Sequence, residues 1–230
     1  MADWLSFWNS PNRIYVNELH RDVHYRDVAL QIRSFVPSNT ATVIDYGCGE
    51  SIHADLVAGA AGKLILSDGA DAVRDFLAQR FAHVPNISVL SPAEIAALPP
   101  GTADLIVLNS VSQYLKQPEL EALLATFRKL LAPTGTLVVG DVLPPNTNAL
   151  TEVAALMKLA YANGFVLAAF GGLARTLFSE YRKLRSSLGL THHTEADMMA
   201  TLARAGFTAQ RRYPNIEHNQ ARMTFVAKLA

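Results

Sequence analysis

A turn with two glycines follows an aspartate at the end of an apolar run, and its residue types suit ligand binding. The run ends at Asp45, and Gly47 and Gly49 follow at a spacing of two residues. Glycine lets the backbone approach a ligand closely, and a helix that begins after such a turn supplies free N–H groups. Residues 51–60 are predicted to form that helix, with Ser51 as its N-cap. The sequence therefore predicts a ligand-binding turn between a strand and a helix.

A second acidic side chain ends the next apolar segment, residues 63–68, about 20 positions after the turn. In nucleoside-binding α/β sheets, a carboxylate at the position of Asp68 accepts hydrogen bonds from ribose hydroxyls. The turn lacks the third glycine of the dinucleotide fingerprint, because Ile52 stands at that position. This absence disfavours a nicotinamide-dependent oxidoreductase.

The remaining apolar segments alternate with helical patterns, which predicts an α/β fold. Helical spacing of apolar residues occurs at 70–82 and 117–131. A helix at 195–205 follows a capping pattern of Thr194 and Asp197, and Gly206 is its predicted stop. Five strands are predicted: the run that ends at Asp45, and then residues 63–68, 86–91, 103–109 and 135–141. A terminal hairpin is predicted from two further strands at 207–213 and 222–229.

The order of these motifs resembles the class I S-adenosylmethionine-dependent methyltransferases. Asp45, Gly47 and Gly49 resemble motif I of that family, and the stretches ADLIVLNSVSQYL and LLAPTGTLVVGDVLPP are also family-like. The resemblance covers about residues 41–143 and 194–229. It implies one domain over 1–230 with a seven-stranded Rossmann-like sheet, mostly parallel with an antiparallel strand in the C-terminal hairpin, and helices on both faces. It also implies S-adenosylmethionine as the cofactor and methyl transfer to a small molecule.

The resemblance further implies which residues hold the cofactor. The glycine turn carries the amino-acid end of S-adenosylmethionine, the acid after the second strand holds the ribose, and Asn109 lines the methionine moiety. The turn after the third strand faces the adenine. There the family often has Asp-Ala, whereas this chain has Pro92 followed by Ala93, which leaves Glu94 as the nearest partner for the exocyclic amine. The expected cofactor-binding residues are Asp45, Gly47, Gly49, Asp68, Gly69, Ala93, Glu94 and Asn109.

Candidate acceptor-binding residues come from separate segments of the chain. Methyl transfer is an in-line displacement, so the protein mainly aligns the acceptor and, where the acceptor is protonated, accepts a proton. The predicted turn at 214–220 lies at the same edge of the sheet as the glycine turn. The expected catalytic residues are Tyr114, His24 and His218. The expected substrate-binding residues are Tyr15, His20, Tyr25, Asn219 and Arg222.

Two segments outside the sheet are expected to cover the site. They are an N-terminal helical cap at 1–36, with a helix predicted at about 22–36, and a helical lid at 146–190. Residues 159–174 carry no charged side chain. They are too short for a membrane span and are predicted to form two helices that meet near Asn163 and Gly164. A polar helix is predicted at 178–188. As an apolar lid, this segment predicts a largely apolar cavity and a small, hydrophobic acceptor. An extra helical layer that packs its own core is an equally open and compatible interpretation.

Composition narrows the partners and the location. Twenty basic residues balance twenty acidic ones, which argues against nucleic acid as a partner. His193 lies near Asp197, but the helix cap already accounts for Asp197, so no metal is expected there. The single cysteine, Cys48, fits a reducing cytosol, and the N-terminus lacks a signal-peptide pattern. We therefore expect a cytoplasmic protein, while the sequence gives no indication of its oligomeric state.

Two other function classes stay open at this point. An NAD(P)-dependent oxidoreductase would share a similar sheet, although the missing third glycine and the terminal hairpin disfavour it. A protein of the same fold that binds S-adenosylmethionine and acts as a regulator, without turnover, is also compatible with the sequence. Methyl transfer has no obligatory catalytic side chain that would distinguish this second alternative.

Overall fold

The computed structural model describes residues 4–10, 14–176 and 189–230. The polar helix predicted at 178–188 lies outside the described residues.

A seven-stranded sheet has the order β3-β2-β1-β4-β5-β7-β6. The first five strands are parallel, and β7 pairs antiparallel with both β5 and β6. This confirms the sheet and the antiparallel hairpin predicted from the sequence. Its strands are β1 Thr42–Tyr46, β2 Lys63–Ser67, β3 Ile87–Leu90, β4 Ala103–Asn109, β5 Leu131–Val142, β6 Phe207–Arg212 and β7 Met223–Leu229.

Helices lie on both faces of this sheet because successive strand side chains point to opposite faces. Ile44 and Ile106 pack in one apolar cluster with Phe127, whereas their neighbours Val43 and Leu105 pack in a second cluster. The helices within the described residues are α1 Trp4–Trp8, α2 Glu18–Arg33, α3 Ala54–Ala58, α4 Asp71–Arg80, α5 Pro92–Ala97, α6 Gln117–Leu130, α7 Ala149–Asn163, α8 Val166–Thr176 and α9 Glu195–Arg204. Helices α2, α3 and α4 cover one face, and α5, α6 and α9 cover the other.

Strand order places a crevice at the carboxyl ends of β1 and β4. The chain runs outward from β1 through β2 to β3 and then returns to β4 on the other side of β1. Loops that leave two adjacent strands in opposite directions leave a crevice between them, and open α/β sheets bind ligands there. The glycine turn follows β1 and Asn109 ends β4, so the fold brings both to this crevice.

Two predicted helix starts are wrong. The helix after the glycine turn begins at Ala54 instead of 51, because Ser51 has φ 33° and its carbonyl accepts the Ala54 N–H in a turn that precedes the helix. Helix α2 begins four residues before the predicted position 22. Its N-cap is Asn17, whose side chain accepts the His20 N–H at 2.8 Å.

The helical segment after β5 divides as predicted, with α7 ending at Gly164, which has φ 77°. Ala160 of α7 packs with Phe165 and Ala169 against Val16 of the N-terminal segment. The lid and the N-terminal segment therefore share a small apolar cluster. Within the described ranges, the helices are too short or too polar to cross a membrane.

Candidate active site

A cavity of about 550 Å³ lies at the crevice between β1 and β4, which is within the usual size range of small-molecule sites. The N-terminal segment, the glycine turn, the end of β4, the turn before β7 and α7 all contribute to its walls. Fourteen of the sixteen residues expected at the site line this cavity. The cavity is lined by Tyr15, His20, His24, Tyr25, Asp45, Gly47, Gly49, Asp68, Gly69, Asn109, Tyr114, His218, Asn219 and Arg222.

The glycine turn adopts a backbone that other residues take up only with strain. Gly47 has φ 71° and Gly49 has φ 57°, both in the left-handed region. A Cβ on Gly47 would overlap the Val111 side chain, and one on Gly49 would lie 2.9 Å from the Tyr25 hydroxyl oxygen. The N–H of Gly47 also donates to the Ser67 carbonyl at 2.7 Å, which ties the turn to the end of β2. Both glycines are thus required by the turn itself.

Asp68 follows β2 and is fixed between the glycine turn and α4. Its Oδ2 accepts the Gly49 N–H at 3.0 Å, and its Oδ1 accepts the Ala70 N–H at 2.9 Å. Burial raises the pKa of this carboxyl, and the two backbone donors act in the opposite direction. Each oxygen keeps a further lone pair, so the carboxylate can accept two hydroxyl groups from a ligand.

Asp45 at the end of β1 is buried next to this carboxylate. Burial, and then the charge of Asp68, raise the pKa of Asp45 to about 7. Its charge therefore depends on pH near neutrality. A positively charged ligand beside Asp45 would favour the ionised form.

Ala93 and Glu94 do not line this cavity. Pro92 opens α5, which places Glu94 at the third helical position, and its Oε2 accepts the backbone N–H of Ser91 at 2.8 Å and the Ser91 hydroxyl at 2.7 Å. The carboxylate is therefore engaged in a helix cap. The roles of both residues toward adenine stay predictions.

Asn109 at the end of β4 connects the part of the cavity at the glycine turn with the turn before β7. Its Nδ2 donates to Glu217 Oε1 at 2.9 Å. Its Oδ1 is buried and has no hydrogen-bond partner within the described residues. This oxygen lies against β5, because a Cβ on Gly140 would overlap it.

Glu217 lies between two histidines that line the same end of the cavity. Its Oε2 is 3.2 Å from His24 Nδ1 and 3.9 Å from His218 Nδ1, and its side chain is only 5% exposed. Burial alone would raise the pKa of Glu217, but the charges of the two histidines and the hydrogen bond from His24 outweigh it and hold the pKa well below the usual range. The same carboxylate raises the pKa of His24 against the opposing effect of burial.

The rings of His20 and Tyr15 lie close to His24. His20 precedes it by one helical turn on the same face of α2, and burial lowers the pKa of His20 to about 4. The Tyr15 ring lies 5.3 Å from the His24 ring and 5.6 Å from the Tyr25 ring, centroid to centroid. Burial raises the pKa of both tyrosines, so neither is a base at neutral pH.

Tyr114 packs against the N-terminal helix α1. Its ring centroid lies 4.6 Å from that of Trp4 and 6.0 Å from that of Trp8. Leu5 of the same helix approaches Gly69, where a Cβ would lie 3.1 Å from Leu5 Cδ1. Helix α1 therefore covers the cavity between Tyr114 and the residue after Asp68.

Arg222 connects three elements at the charged end of the cavity. Its guanidinium pairs with Asp141 at the end of β5 and with Glu152 of α7, the latter at 3.2 Å. Asp141 in turn accepts the Ser110 hydroxyl at 2.8 Å. Asn219 in the preceding turn is buried and its Oδ1 accepts a backbone N–H within that turn. The lid is thus linked by an ion pair to the sheet edge.

The expectation that residues 159–174 line the acceptor cavity is wrong. From the described part of the predicted lid, Glu152 and Leu156 line it, and both precede the charge-free stretch. The physical reason is that Phe165 packs with its neighbours in the lid cluster and stacks on His20, with the ring centroids 5.2 Å apart. The cavity is therefore apolar along part of its wall and charged at the end formed by Glu217 and Arg222.

A family model described as a methyltransferase domain matches residues 18–210 of this chain. The chain belongs to this methyltransferase family. Its cofactor is S-adenosylmethionine, and its family reaction is methylation that depends on this cofactor. No curated protein matches the sequence significantly.

Solved structures show the same fold at low sequence identity. DhpI in complex with S-adenosylhomocysteine is 11% identical, with 98% of this chain and 95% of that chain covered and a TM-score of 0.62. Magnesium protoporphyrin IX methyltransferase from Synechocystis is 18% identical, with coverage of 99% and 93% and a TM-score of 0.59. Phosphoethanolamine N-methyltransferase 1 of Haemonchus contortus is 17% identical, with coverage of 97% and 47% and a TM-score of 0.64. At these identities the similarity shows the fold alone.

The residues of the methyltransferase cavity fit S-adenosylmethionine. The two free lone pairs of Asp68 match the two hydroxyls of a ribose, and the turn from Gly47 to Gly49 leaves no Cβ in the way. Asn109 at the end of β4 lines the same cavity. The residues that fit the cofactor come from the carboxyl ends of three strands, β1, β2 and β4.

Sequence reasoning missed three charged residues of the cavity: Asp141, Glu152 and Glu217. Asp141 ends a predicted strand, which is the same signal that identified Asp45 and Asp68. Glu217 directly precedes His218 in the turn predicted to reach the site. Glu152 carries no signal in the sequence, because its role depends on how α7 packs.

Proposed function

We propose that this protein transfers the methyl group of S-adenosylmethionine to a small molecule with an apolar body and one polar reacting group. The observation that carries the proposal is a single cavity with two sets of lining residues. The glycine turn and Asp68 line one part, and the cluster of Glu217, His24 and His218 lines another. A small-molecule acceptor suits a cavity of about 550 Å³ that the N-terminal segment and α7 partly cover.

S-adenosylmethionine supplies an activated methyl group on a sulfonium, so the protein needs chiefly to align the acceptor and exclude water. We assign the cofactor to Asp45, Gly47, Gly49, Asp68, Gly69 and Asn109, with Ala93 and Glu94 retained as candidates for the adenine. Preorganised positioning of this kind can provide a large part of a rate enhancement. The Tyr114 ring packs against the Trp4 and Trp8 rings of α1, where the three rings can keep water from the transfer.

The charged end of the cavity receives the reacting group of the acceptor in this proposal. His24 and His218 polarise that group, and Glu217, 3.2 Å from His24 Nδ1, orients the His24 imidazole. The apolar body lies along Val28 and Leu156, both of which line the cavity. The remaining acceptor-binding residues are proposed to be Tyr15, His20, Tyr25, Asn219 and Arg222.

The test has two parts, binding and turnover. Calorimetry of the purified protein with S-adenosylmethionine, S-adenosylhomocysteine and NAD⁺ should show binding of the first two and none of NAD⁺. The protein is then incubated with a small-molecule cell extract and S-adenosylmethionine that carries a ¹³C-methyl group, and labelled products are detected by mass spectrometry.

A labelled small molecule that is absent with the Asp68→Ala variant supports the proposal. Cofactor binding without any labelled product, over a panel of extracts, would instead favour a regulatory protein that binds the cofactor. A label found only on protein would refute the acceptor class.

A further inference from the structure

The three side chains at the charged end of the cavity have the geometry of a metal site. One nitrogen each of His24 and His218 and an oxygen of Glu217 all lie within 4.8 Å of one another. A zinc ion bound tetrahedrally at about 2.0–2.1 Å separates its ligand atoms by ~3.4 Å. The two distances from Glu217 Oε2, 3.2 Å to His24 Nδ1 and 3.9 Å to His218 Nδ1, lie on either side of that value. Small side-chain rotations would therefore bring all three groups onto one ion.

Hydrogen bonding within the protein accounts for only one of the two histidines. The distance from His24 to the carboxylate is that of a hydrogen bond, whereas 3.9 Å from His218 is too long for one. Both imidazoles nevertheless direct Nδ1 toward the same oxygen. A shared cation explains why a second histidine faces an oxygen that it does not hydrogen-bond.

The carboxylate is itself held in place by groups behind it. Glu217 Oε1 accepts from Asn109 Nδ2 at 2.9 Å and from the Ser110 hydroxyl at 3.2 Å, which leaves Oε2 for the histidines. The backbone carbonyl of Glu217 accepts from Gln220 Nε2 at 2.8 Å, which fixes the turn. Metal-binding carboxylates in proteins are oriented by outer hydrogen bonds of this kind.

We infer that His24, Glu217 and His218 form a binding site for a divalent transition-metal cation, with zinc as the best match to two imidazoles and one carboxylate. The ion would have three protein ligands and one coordination position open to the cavity. Three-ligand zinc sites with an open position are the catalytic type, whereas structural zinc sites use four protein ligands.

The open position gives the site a role that rests on the proposed function. A hydroxyl of the acceptor would coordinate the cation, which lowers the pKa of that hydroxyl as it does for zinc-bound water. The proton passes to solvent water, and the oxygen keeps its electron pair for methylation. The acceptor class that follows is an alcohol, a phenol or a carboxylic acid with an apolar body.

The first experiment measures metal binding without any acceptor or turnover. Protein treated with EDTA is titrated with Zn²⁺ by calorimetry, and with Co²⁺ while the visible absorption of tetrahedral cobalt is recorded. We expect one ion per chain, and at least hundredfold weaker binding in both Glu217→Gln and His218→Ala. His83→Ala is the matched control because His83 is exposed and lies away from the cavity lining.

The variants are chosen so that folding and binding can be separated. His218 is the most exposed of the three ligands, with 27% of its side chain accessible, so its loss should leave the fold intact. Thermal melting without metal, compared with wild type, checks this for each variant. The absence of zinc binding in wild type, or equal binding in wild type and both folded variants, would overturn the inference.

A second experiment separates this inference from the proposed function. Asp68→Ala should lose cofactor affinity and keep its zinc affinity, whereas His218→Ala should do the reverse. Methyl transfer should stop with EDTA and return with Zn²⁺. Methyl transfer that continues unchanged in EDTA, in a protein that binds no zinc, would refute the metal site and leave the methyltransferase proposal standing.

Discussion

Replacement of Asp68 by alanine tests whether this carboxylate holds the ribose of the cofactor. In the structure Asp68 already accepts the N–H groups of Gly49 and Ala70, one on each oxygen, and it lines the cavity. The proposed role requires only that the remaining lone pairs of Asp68 accept hydrogen bonds from the ribose hydroxyls. The alanine variant removes them and also releases two backbone donors at the turn.

The size of the effect follows from these contacts. A hydrogen bond to a charged group contributes about 1.5–3 kcal/mol, and two such bonds to ribose would amount to ~3–6 kcal/mol. Water that enters the truncated site, and relaxation of the turn, offset part of this loss. Since about 1.4 kcal/mol corresponds to a factor of ten in affinity, we expect S-adenosylmethionine to bind at least tenfold, and up to about a thousandfold, more weakly.

Calorimetry with S-adenosylmethionine and S-adenosylhomocysteine measures this change, and a thermal melt shows that the variant is folded. Asp71→Ala is the matched control, because it removes the same charge three residues away. The Asp71 side chain is 79% exposed and pairs with Arg74 on the surface. Asp68→Asn, which keeps the shape and removes the charge, should give an intermediate loss. An unchanged affinity in folded Asp68→Ala would remove this residue from the site and refute the reasoning.

Three further predictions concern the turn, the buried acid and the lid. Gly49→Val should abolish cofactor binding, because φ is 57° and a Cβ would lie 2.9 Å from the Tyr25 hydroxyl oxygen; normal calorimetric binding by the folded variant would contradict the assignment of the turn. Burial raises the pKa of Asp45 to about 7 in the folded protein, so the contribution of Asp45 to the stability of the ligand-free protein should fall by about 3 kcal/mol between pH 4 and pH 7. Urea unfolding across that range should show Asp45→Asn without this loss, and equal pH slopes would exclude the effect. Leu156→Asp should reduce methyl transfer more than cofactor affinity, because Leu156 lines the cavity. Leu167→Asp is the control, since Leu167 is 89% exposed. If Leu156→Asp reduced methyl transfer and cofactor affinity to the same extent, an acceptor role for α7 would be contradicted.

The strand positions and the position of the glycine turn were predictable from local patterns. Apolar runs that end in Asp45 and Asp68 mark buried parallel strands, and positive φ at Gly47 and Gly49 needs residues without a Cβ. The terminal hairpin was also predicted correctly, as was the break between the lid helices at Gly164. These features depend on a few neighbouring residues, so the sequence carries them directly.

Helix starts and the lining of the cavity were less predictable. The start of α3 depends on the Ser51 backbone, which adopts φ 33° in the turn. The charge-free stretch 159–174 suggested a cavity wall, yet its apolar side chains pack against one another and against Val16. An apolar surface can be buried against any apolar partner, and the sequence does not say which partner it meets.

The amino-acid sequence by itself determined the sheet, the turn and the acid after β2, because periodicity and glycine geometry act over short distances. Only the tertiary structure decided the charged end of the cavity. Asn109 and Glu217 are 108 positions apart in the chain, and they meet at 2.9 Å because β4 and the turn before β7 reach the same edge of the sheet. His24 joins them from α2, with its Nδ1 3.2 Å from Glu217 Oε2. Contacts of this range depend on how the elements pack, since no local pattern specifies which side chains from distant segments will face each other.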